Sequence, residues 1–432
     1  MFVRKKTNRS GTISVVVVSK AHGKFTEVKK FGVAKSEEEA DEMFRKAQSW
    51  LHTHDGQQEL DFEDRKGKEV EETERFLGNI DNVLINGTQL LLDQVYDSIG
   101  FNRIPDEILR HLVIARVSQP RSKPATVDYL KSYYDEDVDL NHIYRYMDKL
   151  YNTQMELAQQ ISVEHTRKLF GGKIGLMFYD VTTLYFETAQ TDVLREPGFS
   201  KDGKTAESQV ILGLLVSEGG YPLSYSLFNG SQYEGFTMIP MIDDFKQRFN
   251  LGKDFVVVAD SGLMNKNNVT LLREAGYNYI LLEISKDIEV VISEEKIAED
   301  CQWDGLKGYI TNTDLDAERV IAEYHGLWVV ERAFRVSKGT LEMRPMFHFT
   351  ERRIEAHVCI CFIAYKVYKE QERLIAINKI GMSVDKVLEA AKTITTIRVR
   401  MPENRTYFTK TLFLTEKHLA VKPLFDLSGN KS

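Results

Sequence analysis

The chain has 432 residues, of which 42% are hydrophobic and 28% charged, and its formal net charge is −7. This length allows a sizeable core and two to four domains, with the composition of an ordinary soluble globular protein. No apolar run approaches the ~18–20 residues of a membrane span, the N-terminal MFVRKKTNRSG lacks the apolar stretch of a signal peptide, and the net acidity argues against wholesale nucleic-acid binding, so a cytoplasmic protein without a membrane partner is expected.

The net charge hides a pattern. Residues 1–35 hold nine Lys/Arg and one acid, residues 36–90 hold fifteen acids and six bases, and the chain from Lys392 onward holds eight bases and three acids. Basic ends around an acidic stretch fit an anionic partner held at particular places, although a solvated basic strand face would look the same.

The segment TISVVVVSKAHGKFTEVKKFGVA reads as a small β-meander turning at Gly23, and SEEEADEMFRKAQSWL reads as a helix with Ser36 and Glu39 at capping-box spacing. Residues 1–52 are therefore expected to form a small β segment plus helix that could bind DNA, followed by an acidic linker over 53–80 that is partly helical at its end. From 81 to 170 the pattern is helical, in NGTQLLLDQVYDSIG, PDEILRHLVIARVSQ and a long stretch from Leu140 to Phe170. Between them ARVSQPRSKPAT places Arg116, Arg121 and Lys123 in a basic turn that opens a helix, which suits a phosphate or is a plain surface loop.

At 171 the style changes. GKIGLMFYDVTTLYFE is strand-like, and SQVILGLLVSEGGYPLSYSLFNGS reads as two strands around Glu218-Gly219-Gly220. A helix (FTMIPMIDDFKQRF), a short buried strand (KDFVVVAD), a helix ending at Gly276 and a strand (YNYILLEIS) follow. The order β-β-β-α-β-α-β predicts a mixed sheet with helices, an α/β class. A β-rich insertion is expected at about 284–313, and 371–432 forms a basic C-terminal region. Cys301, Cys359 and Cys361 make neither a disulfide framework nor a C-x-x-C pair and read as buried thiols.

Two carboxylates are out of keeping with their surroundings. Asp180 ends the apolar strand IGLMFYD, and Asp260 ends FVVVAD, where open α/β sheets place ligands. At ~4 Å two such charges repel by about 1 kcal/mol in water and about 4 at an effective dielectric of 20, a cost that a divalent cation removes. In YHGLWVVERAFRVSK, residues Tyr324, Leu327, Glu331, Phe334 and Lys338 fall at i, i+3, i+7, i+10 and i+14, one helical face. If that face packs on the sheet, Glu331 becomes a third ligand, and three carboxylates suit Mg²⁺ or Mn²⁺. Two such ions ~3.5–4 Å apart would clamp both reacting oxygens of a phosphodiester, with Lys338 near a neighbouring phosphate. Each residue alone also has an ordinary reading, as a turn Asp or a surface Glu.

The sequence resembles the bacterial insertion-sequence transposases of the DDE type, in the group whose third acid lies in Y-x2-R-x3-E-x6-K. Tyr324, Glu331 and Lys338 match it, and Leu327 stands where the group has Arg. YDVTTLYFE resembles the D-x-T strand of that family, VVVADSGLMNKNNVTLLREAGYNYI its second-acid block, and LEMRPMFHFTERRIEAHVCICFIAYKV the helices after the third acid. The resemblance is strong over 171–370, moderate over 80–170 and weak at the ends. It implies an RNase H-like catalytic core over 171–370 and metal-dependent nicking of transposon terminal inverted repeats, followed by attack of the 3′-OH on target DNA. Asp180, Asp260 and Glu331 would hold two Mg²⁺ (or Mn²⁺) ions in a homodimeric synaptic complex, associated with the bacterial nucleoid. It also implies that Trp303 holds a flipped base, although a core Trp is the plainer reading. His357 resembles a family position, but a hydrogen-bonded helix His is the simpler reading. Lys201 and Lys204, in a glycine-bounded loop, could touch DNA. Arg335, one turn after Glu331, is expected to do the work of the missing Arg at 327, by orienting Glu331 or contacting a phosphate; an exposed ion pair with Glu331 is the alternative. The rival functions are another RNase H-like nuclease, a DNA-binding protein that has lost catalysis, and a metal-dependent hydrolase of small phosphate esters.

Overall fold

The computed structural model describes residues 1–21, 23–54, 62–187, 190–199, 207–250, 255–260, 263, 266–283, 308–401 and 406–426. The chain divides into two compact units whose main bodies are Met1–Ile80 and Asp81–Arg400.

In the first unit β1 (Phe2–Thr7), β2 (Ile13–Ala21) and β3 (Lys24–Ala34) form an antiparallel sheet in that order. The meander expected from 12–34 thus gains a third strand. FVRKKT alternates only weakly, because an edge strand buries little. Val15 and Val17 pack with Ala34, Ala40 and Ala47 beneath α1 (Glu37–His54). That helix starts on a shifted capping box: Glu39 N–H donates to Ser36 Oγ at 3.3 Å, while the Glu39 carboxylate accepts from Lys35 N–H at 2.9 Å. Within the acidic stretch read as a linker lies α2 (Phe62–Leu77).

The second unit opens with β4 (Ile80–Leu84) and five helices, α3 (Gly87–Ile99), α4 (Glu107–Ser118), α5 (Lys123–Tyr134), α6 (Leu140–Thr153) and α7 (Met155–Leu169). Then come β5 (Leu176–Tyr185), β6 (Gln209–Ser217), β7 (Pro222–Asn229), α8 (Met238–Phe249), β8 (Val256–Ala259), α9 (Lys266–Ala275), β9 (Asn278–Glu283) and β10 (Gly308–Thr311). These strands make one six-stranded sheet in the order β10-β9-β8-β5-β6-β7. β6 runs antiparallel to both β5 and β7, β8 and β9 run parallel to β5, and β10 closes the edge antiparallel. β10 falls in the span read as a β-rich insertion; 284–307 lie outside the described residues.

The chain ends with α10 (Ala317–His325), α11 (Trp328–Arg335), a π-helical turn Val336–Thr340, α12 (Glu351–Ile377), α13 (Val384–Ala391), β11 (Thr395–Arg400), β12 (Tyr407–Leu412) and α14 (Glu416–Val421). The middle of α12, Ala356–Tyr368, is buried on every side because α3, α4, α6 and α7 surround it. The boundary expected at 371 lies inside this helix. No helix among the described residues is long and apolar enough to cross a membrane.

The alternation of β5 assigns its two faces. Met177 and Tyr179 pack with Met241, Phe245 and Leu272 of α8 and α9, whereas Leu176 and Phe178 join the core shared with α3 to α7, α11 and α12. The helices of 81–170 and the sheet therefore share one core.

Candidate active site

Strand parity places the carboxylates. Asp180 and Thr182 follow Phe178 at i+2 and i+4, so they project from the face covered by α11 and α12. Asp260 follows Val258 at i+2, and Val258 belongs to the same core as Phe178. The parallel pairing of β5 with β8 ends at Tyr179 and Ala259. Asp180 and Asp260 are thus the next residues on two neighbouring strands, whose axes lie about 4.8 Å apart. One expectation needs correction: Asp180 does not end its strand. β5 continues to Tyr185 paired with β6, whereas its pairing with β8 stops at Tyr179 and Ala259. Asp180 Oδ1 accepts from the Val181 N–H at 2.8 Å.

The helix expected over 324–338 is not continuous. α10 ends at His325, α11 begins at Trp328, and Lys338 lies in the π turn. Gly326 at the break presses on Phe178: a Cβ there would stand 2.6 Å from the ring edge. The break and the wider π turn undo the expected single face. The buried residues are Leu327, Val330, Ala333, Phe334, Val336 and Ser337, and Glu331 is exposed. Leu327, where the resemblance expects Arg, is buried in the core at 6% exposure.

Two contacts tie this segment to the strand ends. Tyr324 Oη donates to Asp260 Oδ1 at 3.0 Å, and its ring meets Tyr309 edge-on at 5.1 Å. Burial first, then the charge of Asp260, raises the Tyr324 hydroxyl far above its ordinary value and keeps it a neutral donor; Glu331 adds to the same effect. Lys338 Nζ donates to Thr182 Oγ1. Thr182 and Tyr309 are the residues that sequence reasoning did not single out, although the D-x-T spacing of YDVTT pointed at the first.

The other expected residues are dispersed. Tyr324, which the resemblance would place among the DNA-contacting residues, has its hydroxyl on the Asp260 carboxylate. Among the described residues Arg335 is exposed and forms no hydrogen bond or ion pair, so neither an oriented Glu331 nor an ion pair with it is present; Arg332 instead pairs with Glu372. Arg121 and Lys123 line a cavity at the start of α5, where Lys123 is buried at 5% exposure and not on an open surface. His357 is buried, its Nε2 is 3.2 Å from the Met343 carbonyl, and burial holds it well below its ordinary pKa. Cys359 and Cys361 are buried free thiols. Lys201, Lys204, Trp303 and Cys301 lie outside the described residues.

All-oxygen donors on neighbouring strands fit a hard divalent cation in kind. As the side chains stand, however, no three His, Cys, Asp or Glu among the described residues gather closely enough to hold one. Two carboxylates thus stand side by side on neighbouring strands, and Glu331 is exposed on the helix that packs against β5.

No curated protein matches the chain. Among solved structures, a cryo-EM structure of the piggyBac transposase synaptic complex with hairpin DNA is similar over 66% of this chain and 70% of that one, at 11% identity and a TM-score of 0.40. Residues 171–366, which contain Asp180, Asp260 and Glu331, match the family model of the transposase DDE domain.

Proposed function

We propose that this protein is a bacterial insertion-sequence transposase of the DDE type that nicks transposon ends and joins the freed 3′-OH to target DNA. The observation that carries the reading is the placement of Asp180 and Asp260 side by side, just past the last parallel pair of β5 and β8, with the Tyr324–Glu331 segment packed over them, inside the stretch that matches the transposase DDE domain. The sheet order adds support. Three sequential antiparallel strands followed by two parallel ones fit an RNase H-like core.

Asp180, Asp260 and Glu331 are the residues that would hold divalent cations, Mg²⁺ or Mn²⁺. Bound metal would supply charge neutralisation and activation of an attacking oxygen at the phosphodiester. The chain's own residues set the stage for it. Tyr324 fixes the rotamer of Asp260 through its hydroxyl, and Lys338 is anchored beside Asp180 through Thr182. Exposed Arg335 is left for a DNA phosphate. A homodimer bridging both ends, associated with the nucleoid in the cytoplasm, completes the proposal.

The test is incubation with DNA carrying the flanking ends of the protein's own gene, with and without Mg²⁺, followed by mapping of the nicks. Asp180→Asn, Asp260→Asn and Glu331→Gln should each abolish cleavage and leave end binding intact. Near-normal cleavage by any one removes that residue from the reading.

A further inference from the structure

Away from the strand ends, a cavity of about 100 Å³ lies between the start of α5 and the segment that follows the π turn. That is well above the ~10–15 Å³ one water needs. Its charged lining is three cations, Arg116, Arg121 and Lys123, against one acid, Glu342. Glu342 makes no ion pair among the described residues, so it neutralises none of them directly.

The two deepest cations differ. Arg116, 6% exposed, is a strut: Nη1 donates to the Glu342 carbonyl at 3.3 Å and Nη2 to the Arg121 carbonyl at 3.1 Å. Lys123 is 5% exposed and has no hydrogen bond or ion pair among the described residues. A buried ammonium without a partner costs several kcal/mol, and hydrophobic replacement would avoid that cost. Burial, and then the Arg116 charge, pushes this ammonium down to about 7. Beside it, the Nδ1 of His357 is buried without a partner. Helix α5, twelve residues long and capped by Ser122, opens at the same place and directs its positive end there.

We infer that this cavity is a phosphate site that takes a terminal phosphomonoester. An anion beside Lys123 favours its protonated form, and three cations against one carboxylate then leave an excess that matches a dianion. The depth of Arg116 and Lys123 selects a terminal group, because a phosphodiester within a strand carries a nucleoside on each side and stays at the surface. The source is the 5′-phosphate of a DNA strand, a part that rests on the proposed function; free phosphate shares the chemistry. The site also abuts the carboxylate pair in sequence: Arg116 holds the carbonyl of Glu342, four residues after Lys338, which grips the strand of Asp180.

The test uses the full chain in EDTA, so that no strand is cut. Inorganic phosphate should raise the unfolding temperature beyond chloride at equal ionic strength, and Lys123→Met should fold normally and lose that response. Oligonucleotides differing only in a 5′-phosphate should differ at least fivefold in affinity for the parent, and Lys123→Met should erase the difference while leaving the 5′-hydroxyl strand unaffected. An equal phosphate response in parent and variant overturns the site. A phosphate response without any 5′-phosphate preference overturns the DNA source and leaves free phosphate as the ligand. A phosphate response with no binding of either oligonucleotide keeps the site and defeats the transposase reading.

Discussion

Gly326→Ala probes how the two neighbouring carboxylates, Asp180 and Asp260, and the helix above them are held in register. At position 326 an added Cβ would lie 2.6 Å from Phe178 Cζ and 2.9 Å from the Glu323 carbonyl, so the contact must open by about 0.8 Å to reach an ordinary 3.4 Å. Phe178 cannot yield readily, being 1% exposed in the main core. The backbone angle itself tolerates alanine, with φ at −63°, and propensity favours Ala by ~0.8–1 kcal/mol. Overpacking costs ~1–3 kcal/mol, so the steric effect wins and leaves a net loss near 1 kcal/mol. The larger consequence is positional. The segment carrying Tyr324 and Glu331 would ride up by most of that ~0.8 Å, and misplacement on the scale of 1 Å costs about 10²-fold in rate. Urea unfolding and a strand-cleavage assay on the same preparation should show a small loss of stability and a large loss of cleavage. Adding Phe178→Leu should restore part of the cleavage, a coupling expected only if the two side chains compete for the same space. Cleavage by Gly326→Ala within threefold of the parent would refute the argument.

Three further outcomes follow from the same contacts. Tyr324→Phe removes a hydrogen bond to a carboxylate and should lower cleavage at least tenfold, ~1.4 kcal/mol, with DNA affinity unchanged in a gel-shift series; reduced affinity instead would mean that Tyr324 touches DNA. Arg335→Ala should change stability by less than about 0.5 kcal/mol in urea, because the residue is exposed and unpaired among the described residues; a larger loss would mean that its side chain supports the fold. Glu355 is pushed up to about 7, first by burial and then by Glu351. Between its unfolded value near 4.5 and about 7 the native state binds the extra proton, so this group's contribution falls as pH rises through that window. Glu355→Gln should therefore be more stable than the parent at pH 8, with the gap closing below pH ~4.5, and a gap independent of pH would dismiss the effect.

Much of this architecture was legible in the sequence because it rests on local periodicity. Two-residue alternation and the Gly219-Gly220 turn marked β5, β6 and β7, and apolar runs marked β8 and β9. The odd chemistry of Asp180 and Asp260 marked the strand region where they stand. What periodicity does not encode is which neighbour ends first and where a helix is interrupted. β5 outlasts β8 by several residues, so Asp180 lies mid-strand, beyond the last pair with β8. The segment 324–338 looked like one helix because each residue in it tolerates helix, yet close packing of Gly326 on Phe178 and the π turn split it. That split exposes Glu331 and turns Tyr324 onto Asp260. Lys123 reads as a surface charge in a basic turn, and only the packing of the residues around Glu342 and of α12 over the start of α5 buries it. In each case long-range packing, which no local pattern reports, overrode a face that spacing alone had assigned.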